Sequence, residues 1–265
     1  FYFVRKNFSI VMPALESELG LSKAKLGLFL TLNGVIYGVS RFVNGFFADR
    51  MSRKKMMAAG LFLSAVVNIL IGLSPQMDCL FNLLYAEGKA TTVLVVLIGS
   101  LWLINGYTQG MGYPPCSSLM AHWIRPSELA TKQSLWNASH SIGAGLLSLL
   151  IGAILGNFSN AAWQWCFWVP AILAIFGAAM IFFGLRNEPH TVGLPSVEEI
   201  DREYSGAAGA TKAEVAASPE LTRRIHKRSI SEMVLKNPVT WIISIADFSV
   251  YTHRLTTLDW GPSIL

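Results

Sequence analysis

Three runs of this chain contain no Asp, Glu, Lys or Arg: Met56–Met77, Ala90–Ile124 and Gln133–Leu185. A soluble core has no need of such runs, whereas a helix crossing the hydrocarbon layer needs about 20 consecutive apolar residues. The first run therefore predicts one membrane helix, the second one long helix, and the third two helices broken near Asn157–Ala162. Composition agrees, with 52% hydrophobic and 14% charged residues. Read along the whole chain, the apolar pattern predicts spans at about 1–15, 26–48, 56–75, 92–113, 134–156, 163–185 and 238–265.

The pattern Tyr-x-x-Arg followed eight residues later by Pro occurs twice, at Tyr2-Arg5-Pro13 and at Tyr251-Arg254-Pro262. It reads as an internal repeat. A whole bundle of helices separates the copies, which suggests a transporter whose two halves each begin with the same helix, related by an axis along the membrane normal. The chain opens without Met inside the first span and stops soon after the second copy begins, and nothing resembles a signal peptide. The expected organisation is a fragment of an all-α membrane protein. It comprises an N-terminal six-helix transmembrane bundle at 1–185, a linker at 186–237 and the truncated first helix of a C-terminal bundle at 238–265.

Cations fall unevenly between the spans. With the first loop outside, one side holds Arg50, Arg53, Lys54, Lys55, Arg125, Lys132, Arg186, Arg202, Lys212, Arg223, Arg224, Lys227, Arg228 and Lys236. The other side holds Lys23, Lys25 and Lys89. That bias places the linker in the cytoplasm. Four cations remain inside the spans: Arg5, Lys6, Arg41 and Arg254.

A charge at mid-bilayer costs about 2.5–3.5 kcal/mol on insertion scales, so three unpaired arginines would together cost roughly 8–10 kcal/mol. The acidic residues within the spans are Asp247 and Asp259, seven before and five after Arg254. Neither spacing puts a carboxylate on its helical face. In one reading the arginines snorkel from span ends or pair with carboxylates in an absent half. In the other they build an anion site between two bundles, because a planar guanidinium fork binds two phosphate oxygens at once.

Between the second and third spans lies Gly45-Phe46-Phe47-Ala48-Asp49-Arg50-Met51-Ser52-Arg53-Lys54. Here Gly45 would let helices approach closely, and Asp49 would pair with a cation or helix end across an inner loop that opens and closes. The stretch resembles the major facilitator signature G-x-x-x-D-R-x-x-R-[RK], and so implies the major facilitator fold with a gate at Gly45, Asp49, Arg50, Arg53 and Lys54. The plain alternative is an ordinary positive-inside loop.

Longer strings narrow the resemblance. Tyr2-Phe3-Val4-Arg5-Lys6-Asn7-Phe8 resembles the first helix of the organophosphate:phosphate antiporters, the group containing the glycerol-3-phosphate and hexose-phosphate transporters. Asn105-Gly106-Tyr107-Thr108-Gln109-Gly110-Met111-Gly112-Tyr113-Pro114-Pro115-Cys116 resembles its fourth helix, and Leu135-Trp136-Asn137-Ala138-Ser139-His140-Ser141-Ile142-Gly143 its fifth. Tyr251-x-x-Arg254 and Asp259-Trp260-Gly261-Pro262 match the seventh. The resemblance implies that Arg5 and Arg254 face each other across a central cavity and bind the substrate phosphate. Lys6 and His140 join that constellation, and Arg41 stands where the family also places a cation. Tyr2, Tyr251, Trp136 and Asn137 are further candidates for hydrogen bonds or cavity walls, although aromatics in spans more often pack. His140 also has a plain reading, a neutral imidazole hydrogen-bonded between helices.

Departures from the family pattern touch selectivity. Thr256 follows Arg254 by two residues where the family commonly has Gly, Asp247 is an added charge, and Asp78–Thr92 is longer than a tight outer loop. Small residues in spans four and five (Gly106, Gly110, Gly112, Gly143, Gly145, Ser148, Gly152) suit close, sliding helix contacts, and Pro114-Pro115 would bend or end span four. In the linker, Leu221, Ile225, Met233 and Val234 set against Arg223, Arg224, Lys227 and Arg228 suggest either an amphipathic surface helix or a solvated tether.

No disulfide framework, metal-ligand spacing, nucleotide loop or catalytic triad is visible. The resemblance implies exchange of an organophosphate (a sugar phosphate or glycerol 3-phosphate) for inorganic phosphate by a monomer in a bacterial inner membrane, with no cofactor and no nucleic acid. One rival is a transporter-like receptor that binds hexose phosphate and signals. The other is a membrane enzyme on phosphorylated lipids, for which no nucleophile with its base is apparent.

Overall fold

The computed structural model of the chain describes residues 1–48, 50–84, 89–158, 162–197, 199–200 and 236–264, with side chains except at 77–91, 254–255 and 258–264. Among these residues there are helices and no strands. In chain order the helices are α1 (Asn7–Leu19), α2 (Lys23–Ala48), α3 (Arg53–Leu84), α4 (Lys89–Gln109), α5 (Tyr113–Trp123), α6 (Pro126–Phe158), α7 (Trp165–Gly184) and α8 (Pro238–Ile264). Short 3-10 turns lie at Tyr2–Val4 and Pro189–Val192. Asp49 and the linker residues read above as an amphipathic segment lie outside the described residues.

Five stretches are long and apolar enough to cross a membrane: Lys23–Ala48, Arg53–Gln76, Thr92–Trp123, Pro126–Phe158 and Trp165–Gly184. The helices overrun the apolar runs at their ends. Arg53, Lys54 and Lys55 form the first turn of α3, for example, because backbone pairing continues into the interface after the hydrocarbon ends. The break expected near Asn157–Ala162 separates α6 from α7.

Two spans read as continuous helices are broken, each for an identifiable reason. Span four ends α4 at Gln109 and restarts as α5 at Tyr113. Pro114 and Pro115 have no N–H for the carbonyls four residues back, and the chain tightens instead: Gly110, Met111 and Gly112 donate to the carbonyls of Tyr107, Thr108 and Gln109 at 3.1, 3.2 and 3.3 Å. Span one breaks at Arg5, where φ is −118° and ψ −38°. The Phe8 N–H takes the Asn7 side-chain Oδ1 at 3.1 Å, so the Val4 carbonyl drops out of the helical ladder.

The chain divides into two compact units, Phe1–Val197 with Pro262–Leu265, and Glu198–Gly261. In the first, α3 packs on both α4 and α7, and α2 packs on α4. Val4, Leu61, Ala65, Ala171, Ala174 and Ala178 form a core whose small side chains let α3 and α7 lie close. The α2–α4 seam is polar and tight: Asn33 Nδ2 donates to the Trp102 carbonyl at 2.6 Å and Ser40 Oγ to the Tyr107 carbonyl at 2.5 Å. Gly106 and Gly110 make room for it, since a Cβ on either would strike Asn33 or Ser40. By contrast, a Cβ at Gly145 or Gly152 on α6 meets nothing within 4 Å among the described residues. Large apolar residues such as Phe42, Leu135, Leu149 and Phe183 are exposed, as expected of faces whose solvent is lipid. In the second unit, α8 carries exposed Trp241, Ile242, Phe248 and Tyr251.

Candidate functional site

The two helix breaks open on one cleft of about 290 Å³. Its walls come from the residues before α1, from α2, from the α4–α5 break and from α6, and include Tyr2, Arg5, Tyr37, Gln109, Tyr113, Trp136 and His140. The Arg5 guanidinium carbon lies 3.8 Å from the Tyr37 ring centroid and 5.6 Å from that of Tyr2. Arg41, one turn along α2, lies 3.8 Å from the Tyr113 centroid and 5.6 Å from Tyr37. Tyr37 is thus shared between two cations. The wall continues through Tyr113 and Trp136 (centroids 5.4 Å apart), Trp136 and His140 (4.8 Å) and His140 and Tyr2 (5.0 Å).

Stacking on a ring face satisfies a guanidinium electrostatically while leaving its N–H edge for an anion. Among the described residues no carboxylate lies within ion-pair distance of Arg5 or Arg41; the pairs formed engage Lys23, Arg53, Arg125, Lys132 and His190. His140 Nδ1 sits 3.0 Å from the Asn137 carbonyl. A carbonyl only accepts, so in this hydrogen bond Nδ1 is the donor.

The remaining residues singled out in the sequence are placed elsewhere. Lys6 is buried at the start of α1 and does not line the cleft, and Asn137 is exposed on α6. Tyr251 is exposed on α8; the backbone of Arg254 belongs to the same helix, and its side chain lies outside the description. The structure therefore brings Tyr2, Arg5, Trp136 and His140 into one cleft, while Arg41 lines a neighbouring hollow that shares Tyr113 with it.

The signature loop between α2 and α3 makes a separate polar junction. Arg53 Nε donates to Ser118 Oγ at 2.9 Å, Nη1 meets Glu188 Oε1 at 3.2 Å and Nη2 lies 3.2 Å from His122 Nε2. The Lys54 N–H donates to Asn187 Oδ1 at 3.0 Å, and Asn187 Nδ2 to Ser52 Oγ at 2.9 Å. Arg53, in the first turn of α3, thus ties that helix to α5 and to the segment after α7. Arg50 is exposed, and nothing among the described residues lies within 4 Å of a Cβ at Gly45. Glu188→Gln keeps the bonds to Ser118 and His122, and should cost the full-length protein less than about 1 kcal/mol of stability. Arg53→Ala strands three partners at once and should cost about 1–3 kcal/mol. Unfolding midpoints in detergent separate the two.

Tyr37, Tyr113 and Gln109 were not singled out in the sequence as site residues. The available signals were the i, i+4 spacing of Tyr37 and Arg41, and the presence of Asn68, Asn105 and Gln109 in charge-free runs, where a buried amide is costly.

The bundle of long apolar helices encloses a cationic, aromatic cleft, and the Major Facilitator Superfamily model matches residues 1–264. The chain belongs to that superfamily. It is 37% identical over 265 residues to the glycerol-3-phosphate transporter of Bacillus subtilis (strain 168), covering 100% of this chain and 54% of that protein. It is 33% identical over 266 residues to a probable hexose phosphate transport protein of Chlamydia pneumoniae, again covering 100% and 54%. It is 31% identical over 261 residues to the membrane sensor protein UhpC of Salmonella typhimurium (strain LT2), covering 98% of this chain and 52% of that one. The chain spans about half the length of the curated relatives it matches.

Proposed function

We propose that this chain supplies the N-terminal half of a secondary antiporter that takes up an organophosphate, a sugar phosphate or glycerol 3-phosphate, in exchange for inorganic phosphate by alternating access. The observation that carries the reading is Arg5, a guanidinium held over the Tyr37 ring with no carboxylate partner among the described residues, in a cleft beside His140, with Arg41 over the Tyr113 ring of the cleft wall. Such a site wants a multivalent anion. Arg254, from the first helix of the second bundle, completes the phosphate site opposite Arg5, with Tyr251, Lys6 and Asn137 in supporting positions. With the cavity empty the two arginines repel and resist closing of the bundles; a phosphate dianion bridges them and lowers that barrier. His140 gains its second proton as the dianion arrives, turning Nε2 into a donor. The protein works as a monomer in a bacterial inner membrane, with 186–237 on the cytoplasmic side and the signature loop, Asp49 included, as its gate.

The test is exchange of labelled phosphate by the full-length protein in phosphate-loaded liposomes, with glycerol 3-phosphate and glucose 6-phosphate as competitors. Rapid exchange blocked by one competitor is the expected result and identifies the substrate. A second reading, a receptor of the same architecture, draws on the relative named a membrane sensor protein. Tight binding of glucose 6-phosphate without exchange would establish it instead.

A further inference from the structure

The Val4 carbonyl accepts from three side-chain amides: Asn105 Nδ2 at 2.9 Å, Asn68 Nδ2 at 3.2 Å and Gln109 Nε2 at 3.4 Å. Asn68 and Asn105 are fully buried and Gln109 nearly so. Their orientation follows from chemistry, because a carbonyl can only accept and each amide must turn its nitrogen toward it. Asn68 Oδ1 is held in turn by Asn7 Nδ2 at 2.7 Å, which also reaches the Cys166 carbonyl at 3.3 Å. Gln109 Oε1 is left buried without a partner, so this amide faces Val4 at the expense of its own acceptor.

An unbroken helix would satisfy the Val4 carbonyl with the Phe8 N–H alone. Three buried amides, each costly to desolvate, stand in for that one donor. The exchange stabilises a break, and the residue at the break is Arg5, one peptide plane beyond Val4, with its guanidinium on Tyr37. We infer that Asn68 and Asn105 are positioning residues that act through the Val4 carbonyl to hold Arg5 at the cleft. They make α3 and α4 part of the phosphate site without touching the anion. The inference rests on the phosphate reading above and adds residues to it.

A double-mutant cycle on the purified full-length protein tests it, using equilibrium binding of labelled inorganic phosphate. Asn68→Leu and Asn105→Leu keep side-chain size and remove the donor; each is made in the natural sequence and in Arg5→Lys. Phosphate binding should weaken about ten-fold in the natural background. In Arg5→Lys the further loss should be less than about two-fold, because the residue being positioned is already changed. Equal losses in both backgrounds, or unchanged binding, overturn the inference while leaving the phosphate reading intact. Absence of saturable phosphate binding by the unaltered protein overturns the phosphate reading, and the inference with it. Thermal melts accompany each variant; if Asn105→Leu does not fold, Asn68→Leu, at the longer of the two contacts, decides.

Discussion

Arg5→Lys in the full-length protein is expected to reduce phosphate exchange by about 100-fold or more, although the charge is kept. The guanidinium carbon lies 3.8 Å from the Tyr37 centroid, so the ring face fixes where the cation sits. An ammonium on a flexible stem has neither the plane nor the fork, and it holds its water more tightly. Loss of one charge-assisted bond of a bidentate pair costs about 1.5–3 kcal/mol, and loss of the stacking that orients it adds about 0.5–2 kcal/mol. Arg254→Lys should behave alike if the second bundle supplies the opposing fork. Initial rates of exchange in proteoliposomes, normalised to reconstituted protein, measure both. Full activity in either lysine variant would sink the phosphate assignment, because a nonspecific positive field survives the substitution unchanged.

Gly110→Val is expected to prevent the first bundle from forming. A Cβ at Gly110 would land on the Ser40 side chain and lie 3.0 Å from the Arg41 backbone nitrogen. Ser40 cannot swing away cheaply: its Oγ donates to the Tyr107 carbonyl and accepts from Asn44 Nδ2 at 2.8 Å. The clash is therefore with backbone and with a buried hydrogen-bond network, and relief requires α2 and α4 to separate. Overpacking of this kind costs about 1–3 kcal/mol, and stranding the network adds about 1–3 kcal/mol. Size-exclusion chromatography and a thermal melt in detergent check the result. Gly145→Ala in the chain described here is the contrast, a helix position with nothing within 4 Å, where alanine should be neutral or stabilise by up to about 1 kcal/mol. Equal tolerance at both positions would mean that the α2–α4 seam does not hold the bundle together.

Much of the fold was legible in the chain because lipid imposes a one-dimensional rule. Every span must be apolar over a set length, so charge-free runs alone locate α3, α4, α6 and α7, and a break in such a run has to show as polar or turn-forming residues. Arg5 and Arg41 were legible for the same reason, since a cation in hydrocarbon is costly enough to stand out from its apolar neighbours. Hydropathy does not register how backbone groups are partnered, and there the tertiary structure decided. Pro114 and Pro115 signalled a bend in span four, but only the i to i−3 bonds at Gly110–Gly112 show the helix ending. Nothing local marks Val4 as the carbonyl that three amides from α3 and α4 converge on, because the donors lie 64, 101 and 105 residues away. The rings of Tyr37 and Tyr113 likewise became cation platforms only when folding set α2 against the α4–α5 break. The sequence by itself determined which segments enter the membrane and which charges they carry, since both follow from the transfer energy of single residues. Where those charges point is decided by pairwise contacts between distant helices, and only the assembled bundle contains them.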